Sequence, residues 1–163
     1  MHIKLARIDD RLIHGQVVTV WVREARAERI LVIDDAVAVD EVRRVLLKQA
    51  APPGVKVNVV SVEKAVKVFN NPKYDNEDVM LLFMGPSAPL RMIRGGVPIT
   101  SINVGGMQFR TGRAQVTKAC SVSSQEASQF GALIDLGVEL DLRVVASDPS
   151  EDFSRKLRAA GLV

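Results

Sequence analysis

Residues 7–16 of the sequence, Arg-Ile-Asp-Asp-Arg-Leu-Ile-His-Gly-Gln, hold several chemically active side chains in a short space. His14 is one of two histidines, and the other, His2, lies at the extreme N-terminus, where a solvated role suffices. A neutral imidazole is a good nucleophile near pH 7. Arg11 is a permanently charged, forked donor that suits a phosphoryl group, which carries nearly two negative charges. The combination predicts an anion site at which a histidine could accept a phosphoryl group.

The flanking sequence predicts a strand before this stretch and a helix after it. Residues 3–8 form an apolar run, and over residues 16–25 apolar side chains recur at helical spacing. The free N–H groups and the dipole at the start of such a helix attract an anion, and Gly15 has no Cβ to obstruct its approach. The same spacing fits an unreactive surface histidine that caps the helix, and the residues alone leave both interpretations open.

Asp9 and Asp10 are candidates for two different roles. A carboxylate could accept the N–H of the imidazole and thereby determine which ring nitrogen reacts. Adjacent residues on an extended strand point to opposite faces, so a paired-carboxylate acid–base site is disfavoured and one of the two is expected to bind loop amides. Arg7 faces away from Ile8, either into the site or into solvent.

Short β-branched runs alternate with segments of helical period along the chain, which indicates βαβ units in a single α/β domain over residues 1–163. We predict one open, mostly parallel sheet of about seven strands with five or six helices on both faces. The most apolar strand, residues 79–84, is placed at the centre. Residues 138–145 are predicted as an exposed edge strand, which would allow a homodimer, and residues 116–122 as a further strand.

In such sheets, ligands bind beyond the carboxyl ends of the strands, where the direction of winding switches. The loops at 8–15, 34–38, 85–89 and 105–113 would meet there. They carry the candidates for one site, which are Asp9, Asp10, Arg11, His14, Asp34, Asp35, Ser87 and Arg110. Gly105 and Gly106 provide a tight turn, and Arg110 and Arg113 beyond them are either solvated or part of a phosphate-positioning loop.

Two other kinds of site, a receiver-domain acceptor site and a dinucleotide-binding site, each need a residue or motif that this sequence does not have. Asp34 and Asp35 resemble the acidic pair of a receiver domain, but residues 81–84 are not followed by the acceptor aspartate of that fold. Asp34 also stands where a dinucleotide-binding fold has its ribose-binding acid, yet the first turn has no G-x-G-x-x-G. Helix capping and loop order explain the pair better. Cys120 is expected to be a buried thiol, and no Cys/His cluster has metal-ligand spacing, so we predict neither metal nor cofactor.

The composition restricts the partners and the compartment. A net charge of +3 without a block of lysine or arginine argues against nucleic acid and suits an acidic protein or an anionic substrate. A lone cysteine cannot form an intramolecular disulfide, which favours a reducing cytoplasm. We expect no signal peptide and no membrane span, because no apolar stretch reaches about 18 residues.

Beyond these arguments, the stretch from Arg7 to Val17, with Trp21 four residues later, resembles the signature of a known family. The family is the IIB component of the mannose/fructose/sorbose class of bacterial sugar phosphotransferase systems. The similarity covers essentially the whole chain and continues through Asp34-Asp35, Asp40, Ala51-Pro-Pro-Gly-Val-Lys-Val, Ser61-Val-Glu-Lys-Ala and Ile102-Asn-Val-Gly-Gly-Met.

The resemblance implies a protein-Nπ-phosphohistidine–sugar phosphotransferase. In this family His14 would accept phosphate from the phosphohistidine of a IIA protein. It would then pass the group to a sugar of the mannose, fructose, sorbose or N-acetylgalactosamine class. The membrane subunits IIC and IID would hold that sugar and keep the chain at the inner face of the cell membrane.

The resemblance also assigns roles within the site. Arg11 would stabilise the phosphoryl group, and Asp10 would position the imidazole. The expected supporting residues are Gly15, Gln16, Arg7, Ser87 and Arg110, of which Ser87 lies outside the motifs of the family. The alternative from a different class is a non-catalytic anion-binding or regulatory module that uses the same helix N-terminus.

Overall fold

The computed structural model describes residues 1–163 and has nine strands and seven helices. The strands are β1 (His2–Asp9), β2 (Arg29–Ile33), β3 (Lys56–Val60), β4 (Asp78–Phe83), β5 (Ser101–Gly106), β6 (Ala114–Gln115), β7 (Ser121–Val122), β8 (Glu139–Leu142) and β9 (Glu151–Asp152). The helices are α1 (Val17–Ala25), α2 (Asp35–Ala38), α3 (Glu41–Gln49), α4 (Val62–Phe69), α5 (Ser87–Arg94), α6 (Ser124–Asp135) and α7 (Phe153–Ala159), with a 3₁₀ turn at Pro72–Tyr74.

Seven strands form one open sheet in the order β3-β2-β4-β1-β5-β8-β9. Every neighbouring pair is parallel except β8 and β9. The predicted α/β class with a mostly parallel sheet is therefore confirmed. The middle strand is β1 rather than the more apolar β4, which lies next to it and is almost wholly buried.

Helices cover both faces of the sheet. The core on one face includes residues of α1 to α3, and the core on the other includes residues of α4 to α7; examples are Trp21, Val37 and Leu47 on the first and Ala65, Leu90, Phe130 and Leu157 on the second. The chain therefore leaves β1 toward one face and leaves β4 and β5 toward the other. The winding switches beside the carboxyl end of β1, which is where a ligand site is expected.

Two predictions for the C-terminal third are wrong. Residues 116–122 are not one strand, because the Thr117 hydroxyl accepts the N–H groups of Ala119 and Cys120 and forms a turn between β6 and β7. Residues 138–145 are not an exposed edge, since β8 ends at Leu142 and β9 pairs with its outer side. The argument for a homodimer through that strand thereby loses its basis.

The α2 helix is also absent from the sequence-based prediction. Asp34 begins it by accepting the Val37 N–H through its side chain, as the capping interpretation of this aspartate requires. At four residues, α2 is too short for the apolar periodicity that reveals longer helices. No helix in the chain has the length and apolar character needed to cross a bilayer.

Candidate active site

The histidine loop (residues 10–16) leaves the middle strand of the sheet in a tight turn. The Leu12 N–H donates to the Asp9 carbonyl at 2.9 Å, and Leu12 has a positive φ of 57° although it is not glycine. Such a conformation is costly, and it persists here because the Leu12 side chain is fully buried in the core. The core thereby determines the position of His14, two residues further on.

His14 is held by Asp9 and not by Asp10. Its Nε2 lies 3.1 Å from Asp9 Oδ2, and its side chain is 23% exposed. An ionised carboxylate can only accept, so the hydrogen on Nε2 points to Asp9 and the Nδ1 atom keeps a free lone pair. The expected role of Asp10 in positioning the imidazole does not fit this geometry, in which Asp9 makes the contact.

Asp9 is a fully buried carboxylate with several donors. Its Oδ1 accepts the Arg11 N–H at 3.1 Å, and its Oδ2 accepts from Arg7 Nη2 at 2.9 Å as well as from His14. Burial by itself would raise the pKa of Asp9, but the His14 hydrogen bond, the Arg7 charge and the Arg11 amide outweigh it and lower that pKa. Asp9 therefore stays ionised beneath the imidazole.

Arg7 lies below the loop and is fully buried. Its Nη1 donates to Asn103 Oδ1 and to the Arg143 carbonyl, and its Nη2 donates to Asp9 and to the Val144 carbonyl at 3.0 Å. With these donors committed, Arg7 has no route to a phosphoryl group on His14. The expected phosphate-supporting role does not fit this geometry, because the guanidinium supports Asp9 instead.

Two neighbours enclose the Arg7 guanidinium. Its Cζ lies 5.1 Å from the centroid of the Trp21 ring, at a distance suited to a cation–π contact. Above it passes Gly105, where any Cβ would overlap with the guanidinium. The pairing of β1 with β5 skips Gly105, since Ile8 pairs with Val104 and Asp9 with Gly106. This irregularity makes room for a charged side chain inside the sheet.

Arg11 and the start of α1 supply unused donors around His14. The Arg11 side chain is 41% exposed; its Nε donates to Asp9 at 3.3 Å, and its two Nη groups make no hydrogen bond within the protein. At Gln16 the helix begins without a side-chain cap, and its first turn holds no acidic residue. Five other helices, α2, α3, α4, α6 and α7, are capped by side chains. The first-turn N–H groups of α1 thus remain available to an anion.

Gly15 serves the loop through its backbone conformation. Its φ is +51°, and a Cβ built there would meet no atom within 4 Å. We expected Gly15 to let an anion approach because it has no Cβ. The space around this position is open, however, so a Cβ would not meet a neighbouring atom of the protein. Glycine is favoured here since a left-handed conformation costs it little.

Asp10 connects the histidine loop to the arginine loop (residues 107–113). Its Oδ2 accepts the Gln108 N–H at 2.8 Å and lies 3.3 Å from Arg113 Nη1 and 3.8 Å from Arg110 Nη2. Burial lowers the pKa of Arg113, but Glu126 and Asp10 outweigh that effect and raise it. Both aspartates thus bind a loop amide: Asp9 accepts the Arg11 N–H within its own loop, and Asp10 accepts the Gln108 N–H of the arginine loop.

These observations agree with the comparisons to known proteins. The family model for the IIB component of the PTS system sorbose subfamily matches residues 3–162. The sorbose-specific EIIB component of Klebsiella pneumoniae is 58% identical over 157 residues, which cover 96% of each chain. The chain belongs to the sorbose-subfamily IIB family. The resemblance carried by residues 7–17 is thereby confirmed, and the protein is a phosphotransferase-system component of sugar uptake.

Two further relatives extend the comparison. The crystal structure of the IIBSor domain of the Klebsiella pneumoniae sorbose permease has a TM-score of 0.95 and 57% identity, and the match covers 98% of both chains. The mannose-specific EIIAB component of Escherichia coli K12 is 54% identical over 149 residues, which make up 91% of this chain and 46% of that protein. The IIB fold thus occurs both as a chain of this size and within a longer protein.

The remaining candidates make no hydrogen bond to the imidazole of this IIB chain. Ser87 and Arg110 line a cavity of about 320 Å³ together with Asp10 and Asp34, and His14 is not among its lining residues. Asp35 accepts the Val62 N–H at 2.9 Å and pairs with Arg91 at 2.6 Å, so it joins α2 to α4 and α5. No three His, Cys, Asp or Glu residues are grouped to hold a metal ion.

Asn103 and Trp21 are the site residues that sequence reasoning missed. Asn103 is a polar residue in the apolar strand β5, which was a signal that it has a buried partner. Trp21 lies in the core, and its contact with Arg7 has no sequence signal, because the two residues belong to different elements.

Proposed function

We propose that His14 is the phosphoryl carrier of this IIB component and that its Nδ1 atom forms the bond to phosphorus. The observation that carries the proposal is the hydrogen bond between His14 Nε2 and Asp9, which leaves Nδ1 as the free ring nitrogen. The donor is a IIA protein that carries a phosphohistidine, and the name of the mannose-specific EIIAB relative combines IIA with IIB in one protein. The acceptor is a sugar of the sorbose and mannose class held by the membrane subunits IIC and IID.

The transfer needs no group beyond those in place. The Nδ1 lone pair attacks phosphorus, the N–P bond of the donor breaks, and its electron pair returns to the donor imidazole. The phosphoryl group, with nearly two negative charges, would be stabilised by the free Nη groups of Arg11 and by the first-turn N–H groups of α1. In the second step a sugar hydroxyl attacks phosphorus, its proton leaves to solvent, and the N–P electron pair returns to His14.

Phosphoryl uptake tests the carrier role directly. Incubation with phosphoenolpyruvate, the general proteins of the system and a matching IIA protein should add one phosphoryl group by mass spectrometry. The adduct should be labile in acid and stable in base, and NMR should place the phosphorus on Nδ1. His14→Ala should abolish uptake, whereas His2→Ala, at the exposed second histidine, should not change it. Uptake by His14→Ala, or none by the wild type, would favour the non-catalytic anion-binding module.

Arg11→Ala should slow the transfer about tenfold to a hundredfold without changing the fold. A hydrogen bond to a charged group is worth about 1.5–3 kcal/mol, and each tenfold in rate corresponds to about 1.4 kcal/mol. Rapid-quench measurement of phosphoryl uptake, with thermal melting as the folding check, tests this. Arg94→Ala at the far end of α5 is the matched control, since Arg94 is also exposed. Equal rates for the two variants would remove Arg11 from the site.

A further inference from the structure

Phe109 is the one aromatic residue among the large apolar side chains that are exposed, with 65% of its surface open to solvent. It lies in the arginine loop, directly before Arg110. Exposed apolar groups surrounded by polar residues are typical of binding surfaces, and aromatic residues and arginine are enriched where binding energy concentrates. The mechanism of phosphoryl transfer makes no use of Phe109, so its exposure calls for another explanation.

The backbone on both sides of Phe109 is firmly held. The Gln108 N–H donates to Asp10 at 2.8 Å, and the Gln108 carbonyl accepts from Arg113 Nη1 at 2.6 Å. After Phe109, the Arg110 carbonyl accepts the Arg113 N–H at 3.0 Å. A side chain displayed from an ordered backbone loses less conformational entropy on binding than one on a mobile segment. Phe109 is therefore preorganised for contact with a partner.

The surroundings of Phe109 are basic and are joined through Asp10 to the histidine loop. The same Asp10 side chain that binds Gln108 also lies within 3.8 Å of Arg110, and Asp10 directly precedes Arg11. The Arg11 and Arg110 side chains are 41% and 59% exposed. An apolar centre with cationic neighbours is complementary to an apolar pocket lined by carboxylates.

We infer that Phe109 and Arg110 form the docking surface for the protein that phosphorylates His14, with Phe109 inserted into an apolar pocket bordered by acidic residues. The inference rests on the proposed function of His14. Charge selects the donor over the membrane acceptor, because the donor arrives with an anionic phosphoryl group while Arg11 is still free. The acceptor meets the chain after His14 has gained that group and Arg11 is neutralised by it.

The experiment measures initial rates of phosphoryl uptake against the concentration of phosphorylated IIA protein. Phe109→Ala should raise KM about tenfold or more and leave kcat nearly unchanged, since the residue does not contact the reacting atoms. Phe109→Leu, which keeps an apolar side chain, should recover part of the loss. Leu136→Ala is the matched control, because Leu136 is 53% exposed and lies at the opposite end of the sheet, after α6.

A small phosphoryl donor, phosphoramidate, separates docking from chemistry. Uptake from phosphoramidate should be the same in Phe109→Ala and in the wild type. A KM for the IIA protein within twofold of wild type in Phe109→Ala would overturn the inference, as would a change confined to transfer toward the membrane acceptor. Failure of the wild type to take up phosphate from either donor would instead refute the carrier role of His14, and the docking inference with it.

Discussion

Arg7→Met is expected to lower the free energy of unfolding by about 3–5 kcal/mol, because it leaves the Asp9 carboxylate buried without its charge partner. Arg7 and Asp9 are both almost fully buried, and Arg7 Nη2 lies 2.9 Å from Asp9 Oδ2. The substitution also removes the donors to Asn103 and to the Arg143 and Val144 carbonyls. Urea denaturation at neutral pH, with the midpoint compared at constant slope, measures the loss.

Arg91→Met is the control for this prediction. Arg91 pairs with Asp35 at 2.6 Å, but both side chains are half exposed, and such pairs contribute about 1 kcal/mol or less. A double variant should identify the cause. Arg7→Met combined with Asp9→Asn should lose less unfolding free energy than the sum of the losses of the two single variants. An equal loss for Arg7→Met and Arg91→Met would contradict the buried-charge explanation.

The pH dependence of this loss follows from the pKa of Asp9. Because that pKa is lowered in the folded protein, the carboxylate contributes stability above the pKa of an unfolded aspartate, and this contribution disappears as the pH falls through the lower folded value. Without Arg7, burial raises the pKa and the carboxylate takes up a proton sooner, which relieves the penalty. The difference in unfolding free energy between wild type and Arg7→Met should therefore shrink on acidification.

Asp9→Asn is expected to slow phosphoryl transfer to His14 by about 10²–10⁴-fold. An amide in place of the carboxylate can donate to Nε2, which moves the imidazole proton to Nδ1 and removes the lone pair proposed to attack phosphorus. Single-turnover uptake from phosphorylated IIA protein measures the rate, and ¹⁵N chemical shifts of the ring report the tautomer. The shift of the proton and the fall in rate should occur together.

Asp10→Asn is the matched control for the aspartate pair. Its side chain binds the Gln108 amide and the two arginines of the arginine loop, and an asparagine oxygen can still accept from them. We expect a smaller loss of rate and no change of tautomer. A larger loss in Asp10→Asn than in Asp9→Asn would restore Asp10 as the residue that positions His14.

The local order of the elements around the candidate site could be predicted from the sequence. Strand, loop and helix follow each other within residues 2–25, so the helix N-terminus, His14 and the nearby Arg11 could be placed by spacing. Alternation along β1 indicated that Asp9 and Asp10 face apart, which the structure shows. Which of them meets the imidazole could not be predicted, because the choice depends on the positive φ of Leu12, and residue type disfavours that conformation.

Contacts between distant segments had weaker signals. The sequence did not determine whether the Arg7 side chain on β1 enters the site or solvent. The sheet order, which places β1 between β4 and β5, decides this. Only then do Asn103, Gly105 and the 143–144 carbonyls come together around the guanidinium. The covering of β8 by β9 was missed for a similar reason, since a two-residue strand has no periodicity to detect.

The sequence by itself determined the α/β class, the family and the placement of His14 before a helix N-terminus, because each depends on residues close together in the chain. The tertiary structure alone decided that Asp9 holds the imidazole, that Arg7 is a buried partner of Asp9, and that Phe109 stands exposed beside Arg110. These outcomes depend on burial and on hydrogen bonds between segments up to 137 residues apart. Only a completed sheet brings such segments within reach of one another.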